Sequence, residues 1–157
     1  MNLAVDVLDY AKKHGITIAT AESCTGGMVA AALTDIPGSS AVVERGFVTY
    51  TNRAKMEMLG VSSDTLGAFG AVSEEVAAEM ARGALNHAPV QLAVSITGIA
   101  GPGGSEFKPE GRVCFGIADG HGVRTETVEF GAMGRDKVRL AARDHALELL
   151  KQALTAQ

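Results

Sequence analysis

The chain has 157 residues and a mass of 16.2 kDa, a length that suits one domain over 1–157 with its own buried core. Hydrophobic residues make up 46% and charged residues 20%, the mean hydropathy is +0.15, and no segment approaches the roughly 20 uninterrupted apolar residues of a membrane span. Disorder and membrane insertion are thereby excluded. A net charge of −4 argues against a protein that wraps nucleic acid by counterion release, so an anionic ligand must be held locally.

In chain order, Leu3, Val7 and Ala11 share a face that ends in Lys12, Lys13, His14 and Gly15, the cationic last turn and left-handed cap of a first helix. No basic segment followed by an apolar run opens the chain, so the expected compartment is the cytoplasm. Ile16 to Ala21 is a short β-branched strand, and Glu22-Ser23-Cys24-Thr25-Gly26-Gly27 is a tight polar turn before a small-residue helix to Leu33. After the break at Pro37-Gly38, Val42 to Tyr50 reads as a second strand, with Asn52 as N-cap of a short helix that ends at Gly60. Ser73 with Glu74 and Glu75 opens a helix whose Val76, Met80 and Ala84 recur at i+4. Leu92 to Ile96 is a strand, and the glycine- and proline-rich segment 98–111 excludes any regular element. Strands Arg112 to Asp119 and Val123 to Phe130 flank a three-residue turn, Gly120-His121-Gly122. A last amphipathic helix runs from about Arg135 to Ala153 with Val138, Ala142, Ala146 and Leu150 on one stripe. Strands interleaved with helices, and a hairpin near the end, predict a three-layer α/β/α sandwich around a mixed, mostly parallel sheet of about five strands. Ligands collect where loops leave the carboxyl ends of such strands, which points to 22–27, 50–55 and 97–104.

The turn at 22–27 concentrates a carboxylate, two hydroxyls and a thiol beside the N–H groups of a helix start, a setting for a nucleophile and an oxyanion. The plainer reading is that Ser23 or Thr25 caps the helix. Cys24 is a second nucleophile candidate, although a cysteine entering an apolar helix is more often buried and inert. The two cysteines, Cys24 and Cys114, are too few for a disulfide framework and are expected to be reduced. A serine needs a base, and His14, His87, His121 and His145 sit at helix ends, a hairpin tip and inside the last helix. Lys55 is the candidate base, because a lysine in the first helical turn faces an unfavourable dipole that depresses its pKa; the plainer reading is an ordinary surface lysine. Tyr50 closes the second strand beside it. Arg135, Arg139 and Arg143 repeat every four residues along the last helix; Arg135 stands in its first turn, where a cation is understandable if it meets an anion, and the plainer reading of Arg139 and Arg143 is a solvated face neutralised by Asp136 and Asp144. Metal-ligand spacings are missing from the sequence.

Thr20-Ala21-Glu22-Ser23-Cys24-Thr25-Gly26-Gly27, then Gly46-Phe47-Val48-Thr49-Tyr50-Thr51-Asn52 with Lys55, Gly70-Ala71-Val72-Ser73, and Thr97-Gly98-Ile99-Ala100-Gly101-Pro102 resemble the motifs of the CinA C-terminal domain family. The similarity runs from Leu3 to Leu154. The stand-alone members are nicotinamide-nucleotide amidohydrolases, and longer competence/damage-inducible relatives carry a further amino-terminal domain. The resemblance implies hydrolysis of the carboxamide of nicotinamide mononucleotide to nicotinic acid mononucleotide and ammonia, in pyridine-nucleotide recycling, by a homodimer or larger homo-oligomer. On this sequence it implies Ser23 as nucleophile, Lys55 as general base and Tyr50 as an assistant. Thr25, Gly26 and Gly27 would line the oxyanion and substrate region; Thr97, Gly98, Gly101, Gly103 and Gly104, with Arg135 or Arg139, would hold the phosphate-bearing half. Gly101-Pro102-Gly103-Gly104 reads one residue shorter than the Gly-Pro-Asp-Gly-Gly common in the family. Serine amide hydrolysis needs a proton acceptor, an oxyanion site and a proton for the leaving ammonia, and no metal or redox cofactor. A non-catalytic nucleotide-binding or regulatory module, and an amidase for another small carboxamide, are the competing readings.

Overall fold

The computed structural model describes residues 2–105 and 107–157. Twelve elements follow in order: α1 (Leu3–His14), β1 (Ile18–Glu22), α2 (Met28–Thr34), a 3₁₀ turn (Ser39–Ala41), β2 (Val43–Val48), α3 (Asn52–Leu59), α4 (Ser63–Phe69), α5 (Glu74–Asn86), β3 (Leu92–Gly98), β4 (Arg112–Asp119), β5 (Gly122–Glu129) and α6 (Arg135–Thr155). The expected order holds, with one helix added. Helix α4 buries none of its residues and contains Gly67, so it has no apolar stripe to betray it; Ser62 caps it by accepting from Asp64 N–H. At α3 the cap is Thr51, whose hydroxyl accepts from Ala54 N–H at 3.0 Å, and Asn52 is the first helical residue. The hairpin turn is Gly120-His121 alone, because Gly122 already pairs with Asp119.

The sheet order is β2-β1-β3-β4-β5. Strand β1 runs parallel to β2 and β3, while β4 is antiparallel to both β3 and β5. The chain leaves β1 to one side for β2 and returns to its other side for β3, so the connections diverge at the carboxyl end of β1. That divergence opens a crevice. One face of the sheet carries α1, α2 and α6, packed through Val7, Leu8, Leu33, Val138, Ala142 and Leu150 onto Ile18, Val94, Ile96 and Phe115. The other carries α5, whose Val76, Met80 and Ala84 meet Ala19, Ala21 and Ala93, with Leu59 of α3 joining them. Each fully buried Leu, Ile or Val contributes roughly 1.5–3 kcal/mol, and the apolar stripes read from the sequence are the ones buried. Among the described residues, no helix is long and apolar enough to cross a membrane.

Candidate active site

The three parallel strands end side by side, and the segments leaving them meet over a cavity of about 340 Å³. Ser23 and Cys24 come from the end of β1, and Tyr50, Asn52 and Lys55 from the β2–α3 connection. Ala71 and Val72 precede α5, Thr97 to Ser105 follow β3, and Arg135 opens α6. All three segments expected from the topology contribute. The 71–72 wall was not expected to line the site; its signal was the Gly70-Ala71-Val72-Ser73 motif, to which the sequence reading gave no role.

Glu22 still belongs to the sheet, opposite Val48 and Ile96, and the N–H of Ser23 extends that pairing to the carbonyl of Ile96 at 2.9 Å. The chain then turns sharply through Gly26 and Gly27, with φ of 59° and 108°, left-handed values that glycine adopts without strain. This leaves Ser23 at the cavity floor, 7% exposed, with Oγ 3.1 Å from Lys55 Nζ. Lys55 is itself only 2% exposed. Its Nζ also donates to the carbonyls of Thr49 at 3.2 Å and Tyr50 at 3.4 Å. Ser23 Oγ and the two carbonyls all lie within hydrogen-bond reach of this buried nitrogen.

Cys24 lines the cavity but is buried, and burial first, then the Glu22 carboxylate, pushes its thiol up to about 12. At neutral pH it stays protonated. None of the four histidines lines the cavity. Among the described residues, no group of three or more His, Cys, Asp or Glu side chains is arranged to hold a metal ion.

The arginines separate by place. Arg135 stands at the rim, where Nη1 donates to the Gly101 carbonyl at 2.7 Å and Nη2 to the Tyr50 hydroxyl at 3.0 Å. Helix α6 begins there with Gly134 as N-cap and no side-chain cap bond, so the guanidinium and the positive end of a 21-residue helix lie together. Arg139, the alternative to Arg135 for the phosphate-bearing half, is one turn further on and is engaged with the turn 23–27. Its Nε donates to the Cys24 carbonyl at 3.0 Å and its Nη2 to the Thr25 carbonyl at 3.3 Å, outside the cavity lining. Arg143 pairs with Asp144 at 2.9 Å.

The other expected site residues divide between those that line the cavity and those that lie beneath it. Thr25, Gly26 and Gly27 do not line the cavity: the Thr25 hydroxyl is fully buried against Glu22, and Gly27 starts α2. Tyr50 serves Lys55 through its carbonyl and Arg135 through its hydroxyl. Gly98, Gly101, Gly103 and Gly104 do line the cavity, but the Gly103 N–H already donates to Glu110 at 2.6 Å. Thr97 also lines it, while its hydroxyl donates to the Ala71 carbonyl at 2.8 Å and ties two walls together.

The profile of the CinA C-terminal domain matches residues 1–154. The chain belongs to the CinA C-terminal domain family. Within it, the nicotinamide-nucleotide amidohydrolase PncC of Escherichia coli strain K12 is 53% identical over 153 residues, covering 97% of this chain and 93% of that protein. A CinA-like protein of Chlorobium phaeobacteroides is 55% identical over 147 residues, covering 90% of this chain; the chain spans about a third of that relative, 35% of its length. Among solved structures, the competence/damage inducible protein CihA from Agrobacterium tumefaciens superposes with a TM-score of 0.93 at 50% identity, over 98% of this chain and 93% of that one.

Proposed function

We propose that this CinA-domain chain is an amidohydrolase that converts the carboxamide of nicotinamide mononucleotide to nicotinic acid mononucleotide and ammonia, with Ser23 as nucleophile and Lys55 as general base. The observation that carries this reading is the buried contact of 3.1 Å between Ser23 Oγ and Lys55 Nζ on the cavity floor. The name of the E. coli relative supplies the substrate.

In the first half-reaction, Lys55 takes the hydroxyl proton as Ser23 Oγ adds to the carboxamide carbon. The tetrahedral oxyanion is met by main-chain N–H groups of the turn. The N–H groups of Val29 and Ala30 are engaged with Glu22, and that of Gly26 with the Ser23 carbonyl, which leaves the oxyanion to other main-chain donors of the turn. Collapse breaks the C–N bond, and Lys55 returns its proton to the departing nitrogen, which leaves as ammonia. Water, deprotonated by the same amine, then hydrolyses the acyl-serine to the free carboxylate and regenerates the hydroxyl. Arg135 at the rim, beside the start of α6, would hold the phosphate.

Homo-oligomerisation, dimer or larger, belongs to the same proposal, and light scattering of the purified chain tests it. The activity is tested by ammonia release and nicotinic acid mononucleotide formation beside Ser23→Ala and Lys55→Ala. Turnover abolished by both substitutions in folded protein is the expected result. Activity surviving Ser23→Ala overturns the nucleophile; nucleotide binding without ammonia release in the unaltered chain turns the reading to a binding module.

A further inference from the structure

Glu22 precedes the nucleophile, and none of the steps above uses its side chain. The residue is 1% exposed. One carboxylate oxygen accepts from Thr25 Oγ1 at 2.6 Å and from Val29 N–H at 2.9 Å, and the other accepts from Ala30 N–H at 3.0 Å. A carboxylate is costly to bury unless hydrogen bonds replace its water, and here three do.

Ser, Thr, Asp, Asn and Gly are the common N-cap residues, and of these glycine alone offers no side-chain oxygen to the first helical amides. Helix α2 has Gly27 there and no side-chain cap bond from it. The capping oxygens come instead from the last residue of β1, so the bonds reach across the turn 23–27. On another side of that turn, Arg139 holds the carbonyls of Cys24 and Thr25. Because each peptide unit is planar and trans, a carbonyl held toward Arg139 directs the next N–H, of Thr25 and of Gly26, away from it. The main chain of Glu22 adds a link to the base: its carbonyl accepts from Thr49 N–H at 2.9 Å, and the Thr49 carbonyl accepts from Lys55 Nζ at 3.2 Å.

We propose that Glu22 is a positioning residue for the reaction: its carboxylate fixes the turn so that Ser23 Oγ stays against Lys55. By occupying the leading amides of α2, it also leaves oxyanion binding to the turn itself. This inference rests on the reading of Ser23 as nucleophile and not on the identity of the substrate.

Glu22→Gln tests it in the full chain. Glutamine keeps the size and one acceptor oxygen, but its NH₂ faces an N–H or hydroxyl donor where the second oxygen had accepted. Three quantities are measured: kcat and KM for nicotinamide mononucleotide, the rate at which a fluorophosphonate labels Ser23, and the circular dichroism spectrum. A displaced nucleophile costs about 100-fold, so the expected result is a fall of about that size in kcat and in labelling rate. KM should stay within about threefold, because substrate contacts are unaltered. A folded Glu22→Gln protein whose kcat and labelling rate stay within about threefold of the unaltered chain overturns the proposal, whatever its melting temperature.

If Glu22→Gln does not fold, Thr25→Val removes one donor to the carboxylate and keeps the β-branched shape. A fall of about tenfold in kcat at constant KM is then expected, the scale of one hydrogen bond, and unchanged kcat overturns the idea. Labelling separates the two readings. An unaltered chain that labels at Ser23 without hydrolysing the mononucleotide removes the substrate assignment and leaves Glu22 to be judged on labelling rate. A chain that neither labels at Ser23 nor loses activity in Ser23→Ala overturns both.

Discussion

Ser23 and Lys55, 32 positions apart in the chain, meet at 3.1 Å because the parallel pairing of Glu22 with Val48 sets the ends of β1 and β2 level. The turn after β1 then faces the first turns of α3. A nucleophile and base working as a unit are not additive when removed. Ser23→Ala and Lys55→Met should therefore each lower kcat by at least about 10³-fold, and the double variant should be little worse than either single one. Methionine retains most of the apolar stem that Lys55 buries. Steady-state ammonia release by the three proteins decides the matter, and a double variant whose loss is the product of the single losses would separate the two roles.

Arg135 is held at the rim by Gly101 and Tyr50, and a role in holding the phosphate predicts a different kinetic signature from that of Ser23 and Lys55. A charge-assisted hydrogen bond contributes about 1.5–3 kcal/mol, so Arg135→Gln should raise KM for the mononucleotide by about 10- to 100-fold with a much smaller change in kcat. The unphosphorylated riboside should be nearly indifferent to the substitution. Equal losses on both compounds would remove the phosphate from this end of the cavity.

The long helices were legible because burial imposes a period: Val138, Ala142, Ala146 and Leu150 are spaced for one face, and all four are fully buried. Helix α4 was missed for the complementary reason, since no residue of it is buried. Ser23 and Lys55 were legible as candidates through the resemblance of their motifs; that they stand 3.1 Å apart was not, because it depends on how β1 pairs with β2. Arg135 and Arg139 were not separable in the sequence, because residues four apart share a helical face. Only packing shows that one reaches the rim while the other is spent on the carbonyls of Cys24 and Thr25. The motif likewise names Thr25 without revealing that its hydroxyl turns inward to Glu22.

Cys24 adjoins Ser23 yet has a thiol pushed up to about 12, chiefly by burial. The native chain should therefore resist iodoacetamide at Cys24 at pH 8, and both cysteines should react once the chain is unfolded in guanidinium. The raised pKa also acts on stability. The unfolded thiol ionises near 9 and the folded one near 12, so the contribution is complete below 9 and is lost as the pH rises toward 12. Mass spectrometry of the alkylated protein checks the first expectation, and rapid native alkylation of Cys24 would contradict it.

Gly83 packs against the helix that carries Lys55. It lies on α5 where α3 ends, and a Cβ there would stand 2.0 Å from the Leu59 carbonyl oxygen. Alanine is the better helix former by about 1 kcal/mol, but the clash is with backbone and α3 must move away. Lys55 lies one turn before Leu59 on that helix, so Gly83→Ala should destabilise the fold by about 1–3 kcal/mol and lower kcat as well. Leu150→Ala is the comparison. It empties a fully buried site in the core cluster on the other face of the sheet, and should cost about 2–5 kcal/mol while leaving kcat within about threefold at temperatures where the protein remains folded. Thermal melts paired with kcat for the two variants test the coupling. A Gly83→Ala protein that loses stability but keeps full turnover would show that α3 can shift without moving Lys55 from Ser23.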